Sequence, residues 1–391
     1  MTGMYENSGP ALPEGGVLEA PRKTPFQEKW GLFKRNRLAM AGLAIFVVFS
    51  LVAATGRLLT YGRNPPFDLA LVRLQEKLRP PLSKPNLETL KPEEVPKLGI
   101  YLLGTDDLGR DLTSRMLQGS WVALWVGFVA VGIAVVIGIF LGGIAGYYGN
   151  NRIRLGHFLS PILLGGGILS LVTGNIGTGL LLIFLGIGIG SLLILRGNSM
   201  GKDRVPWGFS VLLLNLFSVD VFVTGLIDIM LCFPSFFLIL TVVALLPGNI
   251  YNIMAVIGLT SWMGAARFIR AEFLSLREQD FVTAARALGV SDWRIIFRHM
   301  VPNAMAPVLV SATIGIATAI LTEAGLSFLG FGVPPPHATW GNILSDGKDF
   351  LFDAPWLTFV PGFAILIVVL AFNLFGEGLR DVLNPKLRER H

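Results

Sequence analysis

The 391-residue sequence is poor in the residues that build disulfides and metal sites. It has one cysteine, Cys232, and four scattered histidines, His157, His299, His337 and His391. One cysteine forms no disulfide within a chain and no cysteine-rich metal site. Histidines this scattered in sequence do not point to a ligand cluster. Charge is also scarce, at 15% of residues, against roughly 25% in soluble domains. The net charge of +6 is not gathered into a basic face with interleaved aromatics, so nucleic-acid binding is not indicated. The first twenty residues lack the charged-then-apolar order of a signal peptide and read as a flexible Gly/Pro-rich tail.

What the sequence has is apolar length. Apolar residues make up 52% of the chain, and mean hydropathy is +0.63. They stand in long blocks, whereas a soluble core spreads them at period 2 or 3.6. About 20 apolar residues cross a bilayer core of about 30 Å. The expected fold is therefore all-α, a multi-pass transmembrane bundle.

The first span is expected over 38–54, after a tail of residues 1–37. Lys29, Lys34, Arg35 and Arg37 precede it, placing the N-terminus inside. An outer loop, 55–121, follows. Its prolines Pro80, Pro81, Pro85, Pro92 and Pro96 disfavour long helices. Its ten Lys or Arg between Arg57 and Ser120 do not oppose this placement, because long loops escape the charge rule. A second span, 122–147, carries Gly138, Gly142 and Gly146 at spacing four, a flat face for close helix packing.

The block 158–195 reads as a hairpin of two short spans, with Arg152 and Arg154 before it and Arg196, Lys202 and Arg204 after it. The piece 207–218 is too short to span and is expected at the interface. Further spans are expected at 222–246 with a kink near Pro234, at 252–268, at 301–322 and at 357–375. That makes eight, and an even number returns the C-terminus to the inner side. The basic tail, residues 377–391, with Arg380, Lys386, Arg388 and Arg390, agrees.

The charged segment 270–298 is the most informative. Asp280-Phe281-Val282-Thr283-Ala284-Ala285-Arg286-Ala287-Leu288-Gly289 reads as a short helix ended by a left-handed glycine. Ser291 or Asp292 can cap the next helix, which runs through Trp293 and Ile296 into Pro302. Two helices thus meet at a glycine turn on the inner face, with small residues Ala284 and Ala285 suited to a partner's groove.

This segment resembles the coupling loop of ABC importer permeases, E-A-A, three residues, G, nine residues, I, one residue, L, P. Ala284, Ala285, Gly289 and Pro302 are in register, while Thr283, His299 and Val301 replace the Glu, Ile and Leu. Most of the chain resembles the second permease subunit of oligopeptide, dipeptide and nickel importers. Trp30, Phe33, Asn36, Ala39 and Gly42 are similar to its N-terminal segment. Gly104-Thr105-Asp106-Asp107-Leu108-Gly109-Arg110-Asp111 with Ser114-Arg115 resembles its hallmark before the second span. Arg298 to Asn303, Thr322 to Gly330, Trp340-Gly341 and Gly378 to Asp381 are also similar. In that pattern residues 151–219 are an insertion within the permease domain 122–376, whose five other spans make a six-span permease core together with the first span.

The resemblance implies a machine with a second permease, two ATP-hydrolysing subunits that use ATP and Mg, and an external substrate-binding protein. It implies a bacterial inner-membrane location, docking of an ATPase subunit on Asp280, Phe281, Ala284, Ala285, Arg286 and Gly289, and passage of peptide, or of nickel or another solute, between the two permeases. It implies no catalytic site here.

Other patterns are weaker. Gly197 to Asp203 has the wrong spacing for a phosphate loop and Asp where Ser or Thr should hold magnesium. Asp106, Asp107 and Asp111 suggest calcium, but the spacing fits no known loop and Arg110 lies among them. A capped turn is the better reading. Glu323 and Asp228 are acids in apolar surroundings and are candidates for a pore or gate, against a plain interhelical hydrogen bond. A membrane enzyme would need paired Asp, Ser/His or metal ligands at membrane depth, and the spans show none. A secondary transporter would show internal repeats and more buried ionisable residues. A passive scaffold leaves the coupling segment unexplained.

Overall fold

The computed structural model describes residues 25–62, 65–149, 151–154, 163–166, 170, 176–197, 215–335 and 337–383. Helix α1 (Pro25–Arg35) ends at Asn36, whose side chain accepts from Ala39 N and caps α2 (Arg37–Thr60). Asp111 caps α3 (Leu112–Tyr148), accepting from the backbone N–H groups of Thr113 and Ser114. At 37 residues, α3 is roughly 55 Å long and outruns a bilayer core of about 30 Å. After it, β1 (Arg152–Arg154) will pair with a later strand. Helix α4 (Ile176–Gly197) lies within the expected hairpin block. Strand β2 (Asn215–Ser218) runs antiparallel to β1, with Arg152 opposite Ser218 and Ile153 opposite Phe217.

Helices α5 (Val219–Cys232) and α6 (Ser235–Ala244) meet at 80°. Phe233 is extended at ψ 134, as a residue before proline prefers, and this breaks the helix at Pro234. Helices α7 (Ile250–Thr260) and α8 (Met263–Leu276) continue one another as a single 27-residue apolar rod. Then come α9 (Asp280–Ala287), α10 (Asp292–Phe328), α11 (Trp340–Gly347) and α12 (Trp356–Leu383). Within α10, residues Ile295–Met300 form a wide π turn just before Pro302. Proline has no N–H to return to the carbonyl four residues back, so the ladder reorganises there.

The glycine face of α3 packs where the spacing suggests. A Cβ on Gly138 would stand 2.5 Å from Ala265 Cβ, and one on Gly146 2.5 Å from Phe273 Cβ, so α3 and α8 touch almost backbone to backbone. Helix α2 lies on α12 in the same way, with Gly42 against the Ala371 carbonyl and Phe46 edge-on to Phe372 at 5.1 Å. The central core joins Phe49, Val126, Ile257, Ile320, Trp340 and Phe372. The starts of α2 and of α9–α10 share one end of the bundle with the ends of α3 and α12. There Asn36 donates to Asp381 at 3.2 Å, and Tyr147 meets Asp292. The 65–111 loop and α11 share the other end.

Among the described residues, five helices or rods are long and apolar enough to cross a membrane, and the bent α5–α6 pair makes six. The expectation of eight is not met by this count. The first arm of the expected hairpin falls largely outside the described residues, as do the 197–203 turn (beyond Gly197), most of 207–218, His157 and His391. Several boundaries move outward. The second span begins ten residues before 122 because Asp111 supplies the cap. Residues 270–276, placed in the coupling loop from sequence, continue α8. Residues 377–383, placed in the tail, continue α12. Part of the N-terminal tail is helix α1. The kink at Pro234 is a full break, and one small ribbon interrupts the all-α pattern.

Candidate functional site

Helix α9 is eight residues long, too short to hold itself, and two inward side chains anchor it. Val282 and Ala285 are buried in a cluster with Phe273, Leu276, Ile295, Ile296 and Met300. Gly289 ends the turn at φ +74, as expected of a left-handed cap. Ser291 stands at the start of α10 without a capping hydrogen bond from its side chain. The outward face carries Asp280, Phe281, Ala284 and Leu288, the last 83% exposed. The two alanines therefore divide: Ala284 is exposed, whereas Ala285 packs inside the chain. Arg286 is not a free charge. Its Nε donates to the Tyr147 hydroxyl at 3.3 Å, and its guanidinium lies 4.8 Å from the centre of that ring.

At the opposite end, the Gly104–Asp111 hallmark forms a buried clamp. Asp106 is fully buried and accepts from Leu108 N and Arg110 N, both at 2.9 Å, from Arg110 Nε at 2.7 Å and from Arg115 Nη1 at 2.6 Å. Arg115 reaches on to Asp346 of α11 at 2.8 Å, and Arg110 does so at 3.3 Å. Thr105 donates to the Glu76 carbonyl and accepts from Arg79 N. Gly104 (φ +84) and Gly109 (φ +72) adopt left-handed backbone, and a Cβ at Gly109 would overlap the Arg73 carbonyl. Oxygens of Asp106, Asp107 and Asp346 lie within 4.8 Å of one another. Arg110 and Arg115 put guanidinium charge against this group, which favours the capped turn over calcium. Burial, with Asp106 and Asp346 close by, pushes the Asp107 carboxyl up.

The two acids singled out for a pore or gate have partners in the chain. Glu323 is buried on α10, where Ser327 Oγ donates to it at 2.6 Å and Thr339, the N-cap of α11, stands beside it. Asp228 on α5 pairs with Arg267 on α8 at 2.9 Å, both well exposed.

Residues 204–389 match the family described as binding-protein-dependent transport system inner membrane component. Residues 24–81 match the N-terminal transmembrane domain of oligopeptide transport permease C. The dipeptide transport system permease protein DppC of Alkalihalophilus pseudofirmus is 33% identical over 368 residues, covering 93% of this chain and 91% of that one. The chain belongs to this permease family. The dipeptide permease of Haemophilus influenzae is 32% identical over 367 residues, with 94% and 97% covered. The oligopeptide permease OppC of Bacillus subtilis is 29% identical over 357 residues, with 91% and 88% covered.

The permease also has a cleft that sequence reasoning missed. It is about 230 Å³, lies between α3, α7–α8 and α10, and is lined by small residues and the hydroxyls of Ser261, Ser311, Thr318 and Thr322. Thr318 and Thr322 donate back to Ile314 and Thr318 carbonyls on their own helix. The small-residue pattern Ser311, Gly315, Ala319 at spacing four was the available signal.

Proposed function

We propose that this permease forms one half of the translocation pathway of an ATP-driven importer for di- or oligopeptides, with no catalytic site of its own. A second permease completes the pathway. Two ATP-binding subunits hydrolyse ATP with Mg, and an external substrate-binding protein delivers the peptide. The α9 end faces the bacterial cytoplasm together with both termini, and the 65–111 loop faces outward. The relatives named above are peptide permeases, which favours peptide over nickel.

The observation that carries the reading is the sidedness of α9. It is held to the bundle by Val282 and Ala285 while Phe281, Ala284 and Leu288 point away. A knob fixed in this way passes movement of a docked ATPase into α8 and α10. In this role Asp280 and Phe281 contact the ATPase, Gly289 shapes the knob, and Arg286 positions it. Glu323 and Asp228 join helices of the permease, and a gate would act through those joints.

The test is affinity purification of the tagged permease from cells expressing the whole system, with mass spectrometry, ATPase assay and dipeptide uptake. Wild type should retain a second permease and the ATPases. Leu288→Asp should lose the ATPases and uptake while staying in the membrane. Full retention and uptake in Leu288→Asp would remove the docking role.

A further inference from the structure

The 65–111 loop encloses a cleft of about 460 Å³ against the start of α3. That is within the range of about 300–1,000 Å³ of small-molecule sites. Among the described residues, its one buried cation is Arg73, only 6% exposed. Arg73 Nε donates to the Glu94 carbonyl at 2.5 Å, and the guanidinium lies 5.9 Å from the Tyr101 ring centre. Its Nη1 is buried and has no hydrogen-bond partner, and among the described residues Arg73 makes no ion pair. Neighbouring acids are engaged elsewhere: Glu76 with Arg79 at 2.9 Å, Asp106 with Arg110 and Arg115, and Asp111 as the cap of α3. A buried guanidinium is costly without an anion, and this one is already oriented by a carbonyl and a ring.

The exposed acids Asp68 and Glu93 line the same cleft, together with the exposed Lys97 and with Asp111, so acids outnumber cations three to two along its wall. Phe67, Leu71 and Leu98 supply apolar wall. We propose that this cleft binds a short peptide with free termini, Arg73 taking the carboxylate and Asp68 and Glu93 the ammonium. The charge pattern calls for a small zwitterion. The choice of a peptide rests on the importer reading. The cleft would then hold a peptide at the outer end of α3 before or after it crosses.

The experiment uses the full chain in nanodiscs and calorimetric titration with the dipeptide Ala-Phe, its C-terminal amide and its N-acetyl form. The amide should bind at least tenfold more weakly than Ala-Phe, and the acetyl form severalfold more weakly. Arg73→Gln should remove the penalty for amidation. Because Arg73 also holds the loop, the exposed Glu93→Gln is the second variant, and it should shrink the penalty for acetylation. Equal binding of all three ligands, or no binding of Ala-Phe, overturns the site. Uptake by the assembled transporter is measured in parallel. Uptake without cleft binding removes this site and leaves the importer. Absence of peptide uptake removes the importer reading, and the titration series still decides the zwitterion site.

Discussion

The Tyr147 hydroxyl, at the end of α3, donates to Asp292 Oδ1 at the start of α10 at 2.6 Å, and the same oxygen accepts from Arg286 Nε of α9. One phenol thus ties three elements together where α9 leaves the bundle. Tyr147→Phe keeps the ring and its stacking with Arg286 but removes both hydrogen bonds, at a cost of about 1–3 kcal/mol. The expected result is severalfold weaker retention of the ATPases on purification, with membrane insertion unchanged. Retention equal to wild type would show that the apolar anchors hold α9 alone.

The two alanines of the knob should separate docking from folding. Ala284→Trp puts bulk on the exposed side and should abolish ATPase retention with little change in thermal stability. Ala285→Leu forces bulk into the cluster of Ile295, Ile296 and Met300 and should cost about 1–3 kcal/mol. It should read as a lowered unfolding midpoint in detergent. Equal midpoints for the two variants would contradict the assigned sides.

At the other end, Asp106→Ala takes from Arg115, whose side chain is 4% exposed, its buried partner and leaves it only the partly exposed Asp346. Removing one member of a buried pair costs about 3–5 kcal/mol. Rapid proteolysis of the 65–111 loop should follow, while Asp346→Asn, at the half-exposed end of the network, should be milder. Protease resistance of Asp106→Ala equal to wild type would refute the clamp.

Tyr101 is fully buried in the same loop. Burial is the main cause that pushes its phenol up to about 12, with Arg73 opposing and Glu76 and Asp111 adding. Above pH 10 the unfolded chain releases this proton and the folded chain keeps it. The stability tied to Tyr101 is therefore full below pH 10 and falls as pH rises towards 12. Ultraviolet titration should show a late phenolate absent from Tyr101→Phe. Ionisation of Tyr101 near pH 10 in the native protein would count against its burial.

The inserted block leaves and rejoins the bundle at one point. Val219 N donates to the Asn151 carbonyl at 3.0 Å, and Asp220 N to the Gly149 carbonyl at 3.3 Å. Removing residues 151–218 therefore joins neighbouring atoms and should leave the side of the C-terminus unchanged by tag accessibility. A reversed tag would mean that the block crosses the membrane an odd number of times.

Much of this was legible in the sequence. The long apolar runs, the glycine face of α3, the turn at Gly289 and the capped turn at Asp106–Asp111 are set by neighbours within a few residues. The sidedness of Ala284 and Ala285 was not legible, because it depends on Ile295 and Met300 folding back over α9. Nor was the sharing of Arg110 and Arg115 between Asp106 and Asp346, 240 positions apart, or the partnership of Glu323 with the cap of α11. Asp228 looked unpaired in an apolar run until α8 brought Arg267 beside it. Span ends were underestimated because apolar runs stop before helices do.

The wide turn at Ile295–Met300 holds more residues per turn than the helix on either side. It is slack in the shaft between knob and bundle. Deleting one residue there would restore the ordinary ladder with little net rotation of the knob, because the wide turn already absorbs an extra residue, whereas deleting one from the regular helix after it would rotate the knob by about 100° about the shaft and carry Phe281 and Leu288 off their bearing. The bearing of α9 on the bundle is thus held by backbone register in the shaft, to a single residue.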